Sequence, residues 1–260
     1  MIALLYARLQ ARAREIARGQ SPPAFYRDQA EAVSRSLEIF DSAPLVLELR
    51  RDLEGLLEEG YGHGIRHATR VAVDAGALSW IEGRAAGWEE APLRRRMEIA
   101  HAAGLLHDVL RREENHAERG AALAARFLSG RLLRTEEIED IRIAIRNHEA
   151  FKAAVPVDTR EGALLSDCLY DADKFRWGPD NFTDTLWEMV SASRIPPEEF
   201  LARWPAGIES LNRIRGTFRT PTGRLYGPQF IDAGIAIGHE LYRLLAEEVA
   251  RLHSPSPPAR

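Results

Sequence analysis

The sequence predicts an all-α protein. Apolar residues recur at three- and four-residue spacing through nearly every segment, alternating strand patterns and Asn-Gly hairpins are absent, and proline or glycine clusters separate the periodic stretches. The first helix is expected over 2–18, with Ile2, Leu5, Leu9 and Ile16 on one side and arginines elsewhere, a face suited to packing on the body or on a second subunit. Ser21, Pro22 and Pro23 end it. Helices over 24–39 and 43–58 follow, closed by the glycines around Tyr61, and then 63–82, 91–110, 115–130, 135–150 and 160–174. Gly178 and Pro179 form a turn before a helix over 181–192, with Asp180 or Asn181 as its cap. Pro196 and Pro197 introduce helices over 196–204 and 206–216, and Pro221 to Gly227 break the chain before 228–252. The tail HSPSPPAR, 253–260, has little to bury and is expected to be disordered.

A chain of 260 residues can bury a substantial core. Its formal charge of −4 and pI near 6.1 give no global case for nucleic acid or an anionic membrane. The single cysteine, Cys168, excludes an intramolecular disulfide and a thiolate zinc site. Arg8 interrupts the apolar start, and no stretch of roughly 18 apolar residues occurs, so a soluble cytoplasmic protein is expected.

The chemistry is concentrated in the histidines. AAGLLHDVL runs apolar and then delivers His107 and Asp108 together. Successive helical residues diverge by about 100°, so the two reach one point only if it lies between them near a helix end. His67 continues the face of Val71, Leu78 and Ile81, with His63 one turn earlier. His148 is the next inward step after Ile138, Ile141 and Ile145, and Asp173 follows Leu165 and Leu169. That phase selects Asp173 over Asp171, which projects about 200° away. An ionised carboxylate ending an apolar stripe is costly unless it is paired or holds a cation. His116, after Asn115 and two before Glu118, falls in the first turn of a new helix, where the dipole favours the neutral, ligating imidazole. His101 is out of phase with His107, and His239 and His253 lie far along the chain.

The order His67, His107-Asp108, Asp173 resembles the HD-domain superfamily of metal-dependent phosphohydrolases. The matching phrases are H-x-x-R-V at His67 to Val71, the apolar run into L-H-D at Leu106 to Asp108, A-I-x-x-H at Ala144 to His148, and D-A-D-K-F at Asp171 to Phe175. The resemblance spans about 60–176 and implies an HD-type helical metal-binding core. An N-terminal helical extension over 1–59 and a C-terminal one over 177–252 would flank it. It also implies that His67, His107, Asp108 and Asp173 are metal ligands, and that His116 and His148 are the additional ligands of dinuclear members. No Gly-Tyr-Pro signature follows His148, which disfavours the cyclic-dinucleotide branch.

Imidazole and carboxylate ligands suit one or two ions of manganese, iron, cobalt, nickel or zinc, with magnesium less natural among so many nitrogens. The expected reaction is hydrolysis of a small phosphorylated substrate or nucleotide by metal-activated water. Arg111, three residues after Asp108, and Lys174, beside Asp173, are candidate phosphate-binding cations, and His63 is a candidate leaving-group acid. Trp177, Phe182 and Trp187 are candidates for an apolar wall beside the site. An HD-type diiron oxygenase, as in the inositol oxygenase type, and a non-catalytic metal-bound sensor or scaffold are the alternatives. No membrane partner is expected, and homo-oligomerisation stays open.

Overall fold

The computed structural model describes residues 2–54 and 64–253. All regular structure among these residues is helical. In order, the helices are α1 (Ile2–Gly19), α2 (Phe25–Asp28), α3 (Ala30–Ser42), α4 (Pro44–Leu53), α5 (Ile65–Ala85), α6 (Glu90–Leu106), α7 (His116–Leu128), α8 (Thr135–Arg146) and α9 (Arg160–Phe175). A π-helical turn (Asn181–Thr185) leads into α10 (Leu186–Ala192), followed by α11 (Pro197–Ile214) and α12 (Pro221–His253). None is long and apolar enough to cross a membrane.

Helix α5 is the centre of the packing, with α3, α6 and α9 around it; α8 joins α9 to α7, and α11 pairs with α12. The α5–α6 crossing is close because both helices present small residues there. A Cβ on Gly104 would lie 2.4 Å from the Cα of Ala72, so only glycine permits the approach. Next along the seam, Gly76 leaves room for the His101 ring, whose Nε2 bonds Ser36 Oγ at 2.8 Å. One apolar cluster extends from Leu5 to Leu245. Helix α1 joins it through Leu5, Tyr6, Leu9 and Ala13, and Tyr6 donates to the Ile195 carbonyl at 2.6 Å.

Several element boundaries differ from the sequence expectation. The helix expected over 91–110 ends at Leu106, and that over 135–150 ends at Arg146, so His107 and His148 lie beyond helix ends. The break expected at Pro205 is absent, and α11 runs through it. The proline costs one hydrogen bond and a local clash. Phe200, Trp204, Leu211 and Ile214 offset this by burying one continuous face across it. Helix α12 likewise begins at Pro221 and continues through Gly227 and Pro228. Gly227 serves packing there, since a Cβ would come within 2.3 Å of the Phe218 ring. Conversely, 24–39 divides at Gln29 and 181–192 opens with the π-turn. The tail 254–260 lies outside the described residues.

Candidate metal centre

Six side chains converge at one end of the bundle, and each comes from a helix terminus. His67 is in the first turn of α5, His107 and Asp108 follow the end of α6, and His116 opens α7; His148 follows the end of α8, and Asp173 is in the last turn of α9. They form two trios, His67–His107–Asp173 and Asp108–His116–His148, each with its donor atoms within 4.8 Å of one another.

Asp108 connects the trios. Its Oδ2 lies 3.4 Å from His107 Nε2 and 3.9 Å from His67 Nε2. Its Oδ1 lies 3.3 Å from His148 Nε2 and 3.5 Å from His116 Nε2. Asp173 Oδ1 completes the first trio at 3.4 Å from His67 Nε2 and 3.7 Å from His107 Nε2.

Backbone carbonyls fix the tautomers. His107 Nδ1 donates to Gly104 O at 2.7 Å and His148 Nδ1 to Ile145 O at 2.6 Å, so in the neutral ring each Nε2 lone pair faces the centre. Both acceptors belong to the last turn of their helices, where carbonyls lack the regular i+4 partner; that of Ile145 also receives the His148 N–H at 3.4 Å. His116 Nε2 accepts from Arg111 Nη1 at 2.8 Å, which leaves that nitrogen without a proton. Burial depresses His116 to about 4, against the pull of Asp108. Burial opposes protonation of His107 too, but Asp108 and Asp173 prevail and raise it to about 10.

The residues fit a cation. The Nε2 atoms of His67 and His107 approach to 3.2 Å, a separation that needs a proton or a positive ion between their lone pairs. Two carboxylates flank the same point. The donor set is nitrogen and oxygen in two groups of three, so the buried cluster can hold metal ions.

Arg111 and Lys174 both reach the centre. Arg111 Nε stands 3.9 Å from Asp108 Oδ2, and Lys174, itself buried, pairs with Asp173 Oδ2 and lies 5.6 Å from the Trp177 ring centre. Neutralisation by Lys174 and the histidines holds Asp173 well below the usual carboxylate range in spite of burial. Trp177 and Phe182 border a cavity at this site, whereas Trp187 is a core residue against Tyr6 and Phe200. His63 lies outside the described residues.

Asp171 takes a separate role, as its helical phase requires. It accepts from the backbone N–H groups of Arg219 and Thr220, both at 2.8 Å, and from the Thr220 hydroxyl, anchoring the approach to α12. Asn115, which precedes His116 and stands three residues before Glu118 in an N-x-x-E pattern, adopts φ 53° and makes no side-chain hydrogen bond to the start of α7. Neither Asp180 nor Asn181 caps the following helix, and Asp180 pairs with Arg176 and Arg70 instead.

Four supporting residues escape a reading based on helical stripes. Asn147 clamps the segment carrying His148 by exchanging two hydrogen bonds with Val155, at 2.8 and 3.0 Å. Glu149 lies 3.8 Å from His116 Nδ1. Asp74, on α5, and Tyr26 bind the buried Arg176 guanidinium directly after α9. Asn147 and Glu149 flank His148 in the sequence, which is the one local signal they offered. Asp74 gave none, since its partner is 102 residues away. Comparison of the chain with protein-family models, with curated proteins and with solved structures finds no match.

Proposed function

We propose that this protein is a metal-dependent phosphohydrolase of the HD type, acting on a phosphomonoester or phosphodiester. The observation that carries the reading is the split of Asp108, one oxygen toward each trio, as a carboxylate bridging two neighbouring ions would be placed. His67, His107 and Asp173 would hold one ion, and His116 and His148 the other. Manganese, iron, cobalt, nickel and zinc suit these donors. Bound ions of this kind lower the pKa of water toward neutrality and draw charge from a phosphoryl group.

The chain's own residues supply the rest. Arg111 and Lys174 border one cavity with Asp108, His148 and Asp173, so two cations face the place where phosphate oxygens would sit. Arg111 offers a planar pair of donors, and Lys174 a point charge held in place by Asp173. The Trp177 ring borders the same chamber and gives it one apolar side.

The test is elemental analysis of protein purified without chelator, joined to a phosphomonoester and phosphodiester panel with added manganese. Up to two ions per chain and phosphate release are expected; metal-free protein that stays inert after reconstitution overturns the reading. Six histidine and carboxylate donors in two trios also suit paired iron, and oxygen consumption with a diiron optical signature would select the oxygenase alternative.

A further inference from the structure

A cavity of about 340 Å³ opens directly beside the metal-ligand cluster, bounded by the π-turn, α10 and α11. His67, Arg111 and Arg176 border it, and Trp177, Phe182, Leu186, Val190, Trp204 and Leu211 form its apolar wall. A second, charged cavity of about 170 Å³ contains Asp108, His148, Asp173 and Lys174, and shares Arg111 and Trp177 with the first. The candidate ion positions therefore stand where a charged chamber meets an apolar one.

That partition describes an amphipathic ligand. At about 30 Å³ for each water-sized group, the apolar chamber takes roughly eleven heavy atoms, within the size range of small-molecule sites. We propose that the chamber receives the carbon skeleton of the substrate, which is a phosphate ester of a medium-chain apolar alcohol with its phosphate on the metal cluster. The head group rests on the phosphohydrolase reading; the tail rests on the chamber alone. Asn181, Thr185, Ser193, Arg203 and Ser210 also line the chamber, but a nucleoside would still set much of its polar edge against Leu186, Val190 and Leu211, which offer it no partners.

Gly207 provides a plug. It borders the chamber on the α11 face of Trp204 and Leu211, and a Cβ there meets nothing within 4 Å. Gly207→Leu would add bulk at a chamber-lining position where the added Cβ meets no other atom, and Met189→Ala, at an exposed wall residue, would enlarge the chamber. The experiment titrates metal-loaded protein with butyl, octyl, decyl and tetradecyl phosphonate, whose C–P bond the proposed hydrolysis does not cleave, below micelle-forming concentrations, reading tryptophan emission. Affinity should rise about fourfold per methylene and level off at roughly ten carbons. The plateau should move to shorter chains in Gly207→Leu and to longer chains in Met189→Ala, with circular dichroism and metal content reporting that each variant is intact.

The matching alcohols form a separate arm. Chain-length dependence of the alcohols with loss of phosphonate binding would sink the phosphohydrolase reading and keep the chamber assignment. Affinity independent of chain length, a plateau unmoved by either variant, or a nucleoside phosphonate that outcompetes octyl phosphonate would overturn the proposal.

Discussion

Asp108 Oδ2 lies 3.4 Å from His107 Nε2 while Oδ1 lies 3.3 Å from His148 Nε2, so its removal takes a donor from one trio and the carboxylate oxygen that faces the other. Asp108→Ala is expected to abolish both metal retention and turnover. His148→Ala, which touches one trio, should lose about half the bound metal. Arg111→Ala should retain metal and weaken inorganic phosphate binding about tenfold, as loss of one charge-assisted contact does. Elemental analysis and phosphate titration separate the three. Uptake of an ion must also expel the proton that Asp108 and Asp173 hold on His107 up to about pH 10. Metal affinity should therefore rise with pH through the neutral range, by about one proton's worth per unit, which calorimetry in buffers of different ionisation enthalpy would detect. His101 offers a check remote from the metal. Burial depresses it from 6.5 to about 3, so the folded state favours its neutral form. The resulting stability is complete above about pH 6.5 and is lost as pH falls toward 3. Urea unfolding should lose about 1 kcal/mol more per pH unit between 6 and 4 in the parent than in His101→Leu.

At the scale of elements, ligand placement depends on where helices stop and how closely they cross. Gly104 acts on both counts, because its missing side chain admits Ala72 and its carbonyl fixes the His107 ring. Gly104→Ala is expected to cost about 3 kcal/mol and to lower metal content by separating His107 from His67. Ala72→Gly should not rescue it, since the contact is with backbone at 2.4 and 2.6 Å; thermal unfolding of the single and double variants decides this. The helices themselves were legible because their apolar faces follow a 3.6-residue period. Their ends were less so. Periodicity carried 91–110 and 135–150 past the stops at Leu106 and Arg146, and the same rule broke α11 at Pro205, where burial on both sides overrides the local penalty.

Across the whole molecule, a buried polar network ties the site to the body. Asp74 on α5, Tyr26 on α2 and Asp180 before the π-turn all bind Arg176, the residue directly after α9. Asp74→Ala would leave a buried guanidinium with less compensation and should destabilise the fold by about 3–5 kcal/mol. By contrast, Arg8→Ala breaks only the solvent-exposed pair with Glu248 and should change stability by less than about 1 kcal/mol. Chemical denaturation of the two variants tests both values.

The sequence by itself determined the all-helical class and the six candidate ligands, because apolar period and residue type are local and chemistry-bearing residues interrupt that period visibly. It also separated Asp173 from Asp171, since their angle on one helix is fixed by backbone geometry. Only the tertiary structure decided that the six side chains form two trios linked through Asp108, that Lys174 is buried against Asp173, and that an apolar chamber adjoins them. Those relations join helices far apart along the chain. Their distances follow from how closely neighbouring helices pack and where each one ends, which no single stretch of residues specifies.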